Sequence, residues 1–332
     1  MSVIISDLAE RFTQPSGWRT HSFKNPNTGH EIHFGSVFPS GAAATAVVVC
    51  LPGLSEFSEK YYEVARDMLS RGYAFWCIDW QYQGRSGRMS RYPQRRHSDG
   101  IGTDLDDLHR LITDYIKPAS VHPGRGRTPL IMLAHSMGGG IGLRYLVEHP
   151  GVFSAAAFNA PLLGIYNFSK LQGWAAKILS ALPVVNRLYV PGGKDWNDAR
   201  RKGDGSEIFS SDPSRDYLHS AWSKADPALQ IGDPTIRWVA ETLKSFAVLQ
   251  LPGKLESIAI PTLFAIAGKD TIVDNAAIQA ASARIHNSRL LELTESRHEI
   301  LVEQDAYRNA FFDGFDKMIK DNKIIGEDPK PL

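Results

Sequence analysis

Cysteine is almost absent: the chain holds two, Cys50 and Cys77, in 332 residues. Two thiols exclude a disulfide scaffold and any all-cysteine zinc site. Both lie in apolar runs, where buried free thiols of a reducing cytoplasm are expected. An excess of one charge is missing too. The 37 basic and 36 acidic residues leave +1, which argues against a nucleic-acid coat or a polybasic membrane anchor. The longest apolar stretch, 41–54, is interrupted by Thr45, Pro52 and Gly53 and falls short of the ~20 apolar residues of a spanning helix. The opening MSVIISDLAERF has no basic segment ahead of an apolar one, so no secretory signal is expected. There is no internal repeat and no low-complexity tract. With 43% apolar and 22% charged residues, the chain suits a soluble protein of one large domain or a core plus an insertion.

What is present has a rhythm. Segments 18–23 and 31–38 read as a hairpin around Asn25-Pro26-Asn27-Thr28-Gly29. Then 44–51 (ATAVVVCL) is a continuous apolar run, as in a strand buried on both faces. A helical pattern at 59–70 follows, with Tyr62, Val64, Met68 and Leu69 on its inner side, and Gly72 ends it. Further strands are expected at 73–79, 129–134 and 153–158, with an amphipathic helix at 99–116 built on Leu105, Leu108, Leu111 and Ile112. From 162 to 255 the strand rhythm stops and only helical stretches appear. It resumes at 262–267 and 289–293, before a last helix at 304–319. Strand–helix alternation argues a parallel sheet of right-handed crossovers, here eight-stranded and interrupted by a helical insertion. The expected division is core 1–161, insertion 162–256, core 257–322 and a polar tail 323–332.

The chemistry centres on Leu133-Ala134-His135-Ser136-Met137-Gly138-Gly139-Gly140. A buried strand precedes it and a glycine-rich helix follows, which is the setting of a nucleophile elbow, although Ala134 replaces the usual first glycine. Serine needs a base, and the base needs an orienting carboxylate. In this architecture they follow in the order serine, acid, histidine. Asp270 comes after strand 262–267 and His298 after strand 289–293. Asp274 is a rival acid but is better read as a helix cap. Of the other histidines, His135 should point away from Ser136, and His286 precedes its strand. Oxyanion donors are expected from the Met137 amide, at a helix N-terminus, and from Leu54 in the loop after the first parallel strand. No metal-ligand spacing and no dinucleotide fingerprint appear, so neither metal nor cofactor is expected. Pro191-Gly192-Gly193-Lys194 lacks the spacing of a phosphate loop.

Several motifs are similar to those of one family. They are the segment 79–88 (DWQYQGRSGR), the elbow at Ser136 and 159–162 (NAPL). To these add 234–238 (PTIRW) and 296–301 (SRHEIL). On them the chain resembles, over about 45–318, the α/β-hydrolases of the lysophospholipase and monoacylglycerol lipase group, of the bacterial lysophospholipase L2 type. The resemblance implies Ser136, Asp270 and His298 as a triad, Leu54 and Met137 as an oxyanion hole, and the insertion as a cap. Pro52, where the family often has histidine, and Tyr82, in place of a common glycine, depart from the pattern at the pocket mouth. The implied activity is hydrolysis of single-chain lipid esters, lysophospholipid or monoacylglycerol, through an acyl-enzyme. A general carboxylesterase for small esters is the alternative, and a non-catalytic ligand-binding protein of the same fold is a more distant one.

Two features bear on the substrate. Residues 168–182 place Leu171, Trp174, Ile178 and Leu182 on one helical face, expected to pack on the core; an acyl-binding wall or a lipid-touching face is the alternative. Arg85, Arg88, Arg91, Arg95 and Arg96 cluster in one loop without an acid between them. They read as a solvated surface, or as a site for a phosphate-bearing substrate or an anionic bilayer. A lipid ester is the expected partner, with transient peripheral membrane contact, no nucleic acid, and a cytoplasmic location.

Overall fold

A computed structural model describes residues 8–326, apart from 125, 201–203, 205 and 207. The expected tail therefore lies outside the described residues from 327 onward. The hairpin of β1 (Arg19–Lys24) and β2 (Glu31–Val37) leads into β3 (Ala46–Leu51), helix α1 (Tyr62–Ser70) and β4 (Tyr73–Ile78). Helix α2 (Ile101–Arg110), β5 (Leu130–His135), α3 (Met137–Glu148) and β6 (Ala155–Asn159) follow. Three helices come next: α4 (Lys170–Ser180), α5 (Pro213–Ala225) and α6 (Ile236–Gln250). The chain ends with β7 (Thr262–Ala267), α7 (Asn275–Arg284), β8 (Ser288–Leu293) and α8 (Asp305–Asp321).

The eight strands form one sheet in the order β1-β2-β4-β3-β5-β6-β7-β8. The two pairings made by β2 are antiparallel and the rest are parallel. This is the α/β-hydrolase fold. The apolar runs explain it, because β3 feeds two cores at once. Val47, Val49 and Leu51 join Leu105, Leu108, Ile141 and Leu143 on one face. Ala46, Val48 and Cys50 join Val64, Met68, Phe311 and Phe315 on the other. Each Val, Leu, Ile, Met or Phe among them, fully buried, contributes about 1.5–3 kcal/mol. Cys50 and Cys77 are register partners across β3 and β4, both free and buried.

Some elements differ from the sequence reading. The helix expected at 59–70 starts as a 3-10 turn, Ser58–Tyr61. The one expected at 99–116 starts at Ile101 and runs on into a wider i→i+5 turn, Leu111–Ile116. A small ribbon pairs 121–122 with 126–127, unanticipated because two-residue strands leave no periodicity. No helix among the described residues is long and apolar enough to cross a membrane.

The α4 stripe is the main correction. Leu171 is 73% exposed, Trp174 64%, Ile178 45% and Leu182 47%. The face expected to pack on the core turns outward, and α4 packs on α6 through its other side. Local hydrogen bonding explains why a helix forms here without a buried stripe. Ser169 and Gln172 close a reciprocal capping box at its start.

Candidate active site

Ser136 ends the step from β5 to α3 with φ 49° and ψ −118°. That conformation costs a residue with a Cβ about 1–3 kcal/mol. Its own backbone holds it there: the N–H donates to Asn159, and the carbonyl accepts from Gly139, Gly140 and Leu162. Gly138 shows how close the neighbours are, since a Cβ on it would lie 2.1 Å from the Leu51 carbonyl oxygen. Ala134, the departure from the elbow pattern, fits fully buried within β5.

Strand ends deliver the partners. His298 Nε2 lies 3.0 Å from Ser136 Oγ, and His298 Nδ1 lies 2.6 Å from Asp270 Oδ2. The other Asp270 oxygen accepts from the Ile272 and Val273 amides at 2.7 and 3.1 Å. Burial works to raise the Asp270 carboxyl, but His298 and the two amides outweigh it and hold the group below its usual range. Asp274 caps α7, accepting from the Ala276 amide. His135 bonds the Asn159 carbonyl at 3.1 Å and lies against the His298 ring, centroids 4.8 Å apart. Burial pushes its pKa down to about 4, so it is neutral at pH 7. His286 is exposed.

The loop after β3 is tied down almost group by group. The Gly53 amide donates to Glu56 Oε2 at 2.5 Å, and Gln83 Nε2 donates to the Gly53 and Glu56 carbonyls at 2.8 and 2.9 Å. The Ser55 amide donates to Gln83 Oε1 at 3.1 Å. The Leu54 amide takes part in none of these bonds. Met137, the first residue of α3, has no i−4 carbonyl within its helix. Both residues adjoin Ser136, one by packing around the pocket and one by sequence.

The arginine loop proves mostly internal. Arg85 pairs with Glu59 at 2.8 Å and Asp226 at 2.7 Å. Arg88 donates to the Tyr82, Gly84 and Ala228 carbonyls. Arg96, 1% exposed, donates to Gln83 Oε1 at 2.8 Å and to the His97 carbonyl. Arg95 stacks on Tyr92 at 3.7 Å from the ring centre and donates to the Arg187 carbonyl. Neither a phosphate site nor a purely solvated surface describes them: most pin the loop to the helical segment and to Gln83. Arg91 stays exposed.

One cluster escaped the sequence reading. Ligand atoms of Glu56, His135 and Glu299 lie within 4.8 Å of one another, a spacing that could hold a cation. The chain supplies its own, because Lys60 Nζ sits 2.6 Å from both Glu56 Oε1 and Glu299 Oε2. The signal in sequence was only an i,i+4 Glu–Lys pair, which ordinarily decorates a solvated helix face.

A cavity of about 380 Å³ opens over Ser136 and His298. Leu162, Ile165, Phe168, Phe209, Trp238 and Ile272 give it an apolar wall. Glu56, Asp233 and Glu299 are its acids, and among the described residues no lysine or arginine lines it.

Comparison with known proteins gives the family. The family described as serine aminopeptidase, S33, matches residues 42–305. Lysophospholipase L2 of Escherichia coli (strain K12) is 32% identical over 277 residues, covering 80% of this chain and 77% of that protein. Monoacylglycerol lipase of Mycolicibacterium smegmatis is 31% identical over 145 residues, covering 42% of this chain and 48% of that one. Among solved structures, a soluble variant of monoglyceride lipase from Saccharomyces cerevisiae, in complex with a substrate analog, superposes with a TM-score of 0.73. It shares 17% identity and covers 93% of this chain and 96% of its own. A family match over residues 42–305, with a relative 32% identical over 80% of the chain, makes this chain a hydrolase belonging to the serine aminopeptidase S33 family.

Proposed function

We propose that this chain, a carboxylic ester hydrolase, cleaves esters of single-chain lipids, lysophospholipid or monoacylglycerol, through an acyl-enzyme on Ser136. The observation that carries the reading is the continuous relay from Ser136 through His298 to Asp270, with contacts of 3.0 and 2.6 Å. Ser136 Oγ attacks the ester carbonyl while His298 Nε2 takes its proton. The Leu54 and Met137 amides receive the oxyanion, and Asp270 holds the imidazole tautomer and stabilises its charged form. Collapse breaks the bond to the alcohol, which leaves with the proton from His298. Water, deprotonated by the same nitrogen, then releases the fatty acid.

The cavity supports the substrate class. Its size falls in the range of small-molecule sites, about 300–1,000 Å³, and its apolar wall suits an acyl chain. A general carboxylesterase would share the mechanism and differ in chain-length preference, which an acyl-length series reads. A non-catalytic role has no support in a relay with all three members in contact.

Residues 162–256 act in this reading as a cap over the cavity. Its outward stripe on α4, flanked by exposed Lys170, Lys177 and Arg187, suits an anionic lipid surface from which the substrate is drawn. Anionic lipid concentrates on the cytoplasmic leaflet, which fits a cytoplasmic enzyme in transient peripheral contact.

A fluorophosphonate probe tests the mechanism. It should label the wild type and not Ser136→Ala, whose kcat/KM on a lysolipid should fall by about 10⁴-fold or more. An unlabelled wild type, or a variant labelled equally well, would overturn the assignment.

A further inference from the structure

The residue after His298 is Glu299, 4% exposed and unused by the chemistry above. Its carboxylate meets Lys60 Nζ at 2.6 Å, and the same ammonium, on a side chain 1% exposed, meets Glu56 at 2.6 Å. Glu56 in turn accepts from the Gly53 amide and the Tyr61 hydroxyl, each at 2.5 Å. An unbroken path of buried ionic contacts thus runs from the turn that presents the Leu54 amide to the loop that carries His298. Three charges buried together are costly, each by several kcal/mol of desolvation, and apolar residues of similar size would fill the space at less cost. Fold stability alone does not account for them.

What the path does account for is register. The Gly53 amide bond to Glu56 sets the turn, and the next amide along is that of Leu54. On the other side Glu299 fixes the backbone one residue from the imidazole. The Glu299 amide also bonds the Phe209 carbonyl at 2.8 Å, anchoring that loop to the cavity wall. We propose that Lys60 is a positioning residue, which through Glu56 and Glu299 holds the Leu54 amide and His298 in register about Ser136. This rests on the serine mechanism proposed above.

Charge makes the tie directional. Burial would raise the Glu56 carboxyl, but Lys60 and His135 outweigh it and hold its pKa at about 2. Without the ammonium, two carboxylates would face each other in a site closed by His135, His298, the Tyr61 hydroxyl and the Cys50 and Cys77 thiols. One of the two would then take up a proton near neutral pH, as paired carboxylates do.

The test is Lys60→Met in the full chain, assayed on a soluble short-chain ester and by the rate of fluorophosphonate labelling at Ser136. Losing one oxyanion donor costs about 10²–10³ in kcat, so a loosened loop should cost on the order of 10- to 100-fold, with KM within about threefold. The pH profile of kcat/KM should gain an ionisation between about pH 5 and 8. Lys60→Arg, which can bridge two carboxylates, should recover most of the rate and lose the added ionisation. Wild-type kcat and profile in a folded Lys60→Met protein would overturn the proposal, as would a rise in KM alone. Should Lys60→Met fail to fold, Glu299→Gln keeps the Glu56–Lys60 pair and loosens only the histidine side. There a kcat loss of about three- to tenfold is expected, and an unchanged kcat overturns the proposal. Wild type that is not labelled at Ser136 sinks the serine mechanism itself. Equal labelling of wild type and Lys60→Met sinks only the positioning.

Discussion

Asp107 shows what burial does to a single carboxyl in this fold. It is 2% exposed on α2 and has one partner for one oxygen, the Asn25 amide nitrogen at 2.6 Å. Burial raises its pKa to about 7, with Asp104 and Asp106 adding to the shift against Asn25 and Arg110. Unfolded, the same group ionises near its ordinary value of about 3.9. Stability from this residue is therefore complete below about pH 4, falls as pH rises towards 7, and is level above. The slope in that window is up to about 1.4 kcal/mol per pH unit. Urea unfolding of Asp107→Asn, which keeps an acceptor for Asn25, should lose less stability between pH 4.5 and 7 than wild type. An equal loss in both would sink the assignment. No sequence pattern announced this carboxyl, since Asp107 sits among Asp104, Asp106 and Asp114 on a helix whose polar face is expected to be wet. Ser136, Asp270 and His298 were legible for the opposite reason. Chain order and strand ends fix where such groups meet, whereas Glu56, Lys60 and Glu299 meet only through packing.

Among the elements, strands were easier to read than helices. A run such as AVVVCL has one stable fate, burial on both faces, and β3 shows it. Helix α4 carries an equally clear apolar stripe, yet periodicity gives a face and not what covers it. Helix α5 was legible as helical and nothing more, although it anchors the segment between β6 and β7. Its Arg215, 2% exposed, holds Glu63 of α1 at 2.8 and 2.9 Å, Asp305 at the start of α8 at 2.6 Å, and the Glu303 carbonyl at 2.8 Å. The contacts cross 152 and 90 residues of sequence, beyond the reach of any local pattern. Arg215→Met should destabilise the protein by about 3–5 kcal/mol, because it leaves the Glu63 carboxylate buried without its principal partner. Lysine should recover only part, lacking the planar fork that serves several acceptors at once. Thermal and urea melts of the two variants decide this, and a Met variant as stable as wild type would refute the anchor.

At the scale of the whole molecule, a net charge of +1 conceals a polarity. Three acids line the cavity, whereas residues 149–194 contain no Asp or Glu at all. Lys170, Lys177, Arg187 and Lys194 are all exposed in that stretch. Its apolar side chains include Val184, 77% exposed, beside the α4 stripe. Exposed apolar and cationic side chains in one segment would attract an anionic bilayer by two routes: buried area, and about 1 kcal/mol per cation near the membrane, weakened by salt. Flotation on vesicles of zwitterionic lipid, with and without about one-third anionic lipid, should show wild type binding the anionic set and releasing at high salt. The double variant Leu171→Glu/Trp174→Glu should bind at least about tenfold more weakly. Its kcat/KM on a soluble short ester should stay at the wild-type value, because neither side chain lines the cavity. Equal flotation of both proteins would rule the face out as a lipid contact. Wild type that ignores vesicles but dimerises through this face in sedimentation would assign the same surface to a second copy of the chain.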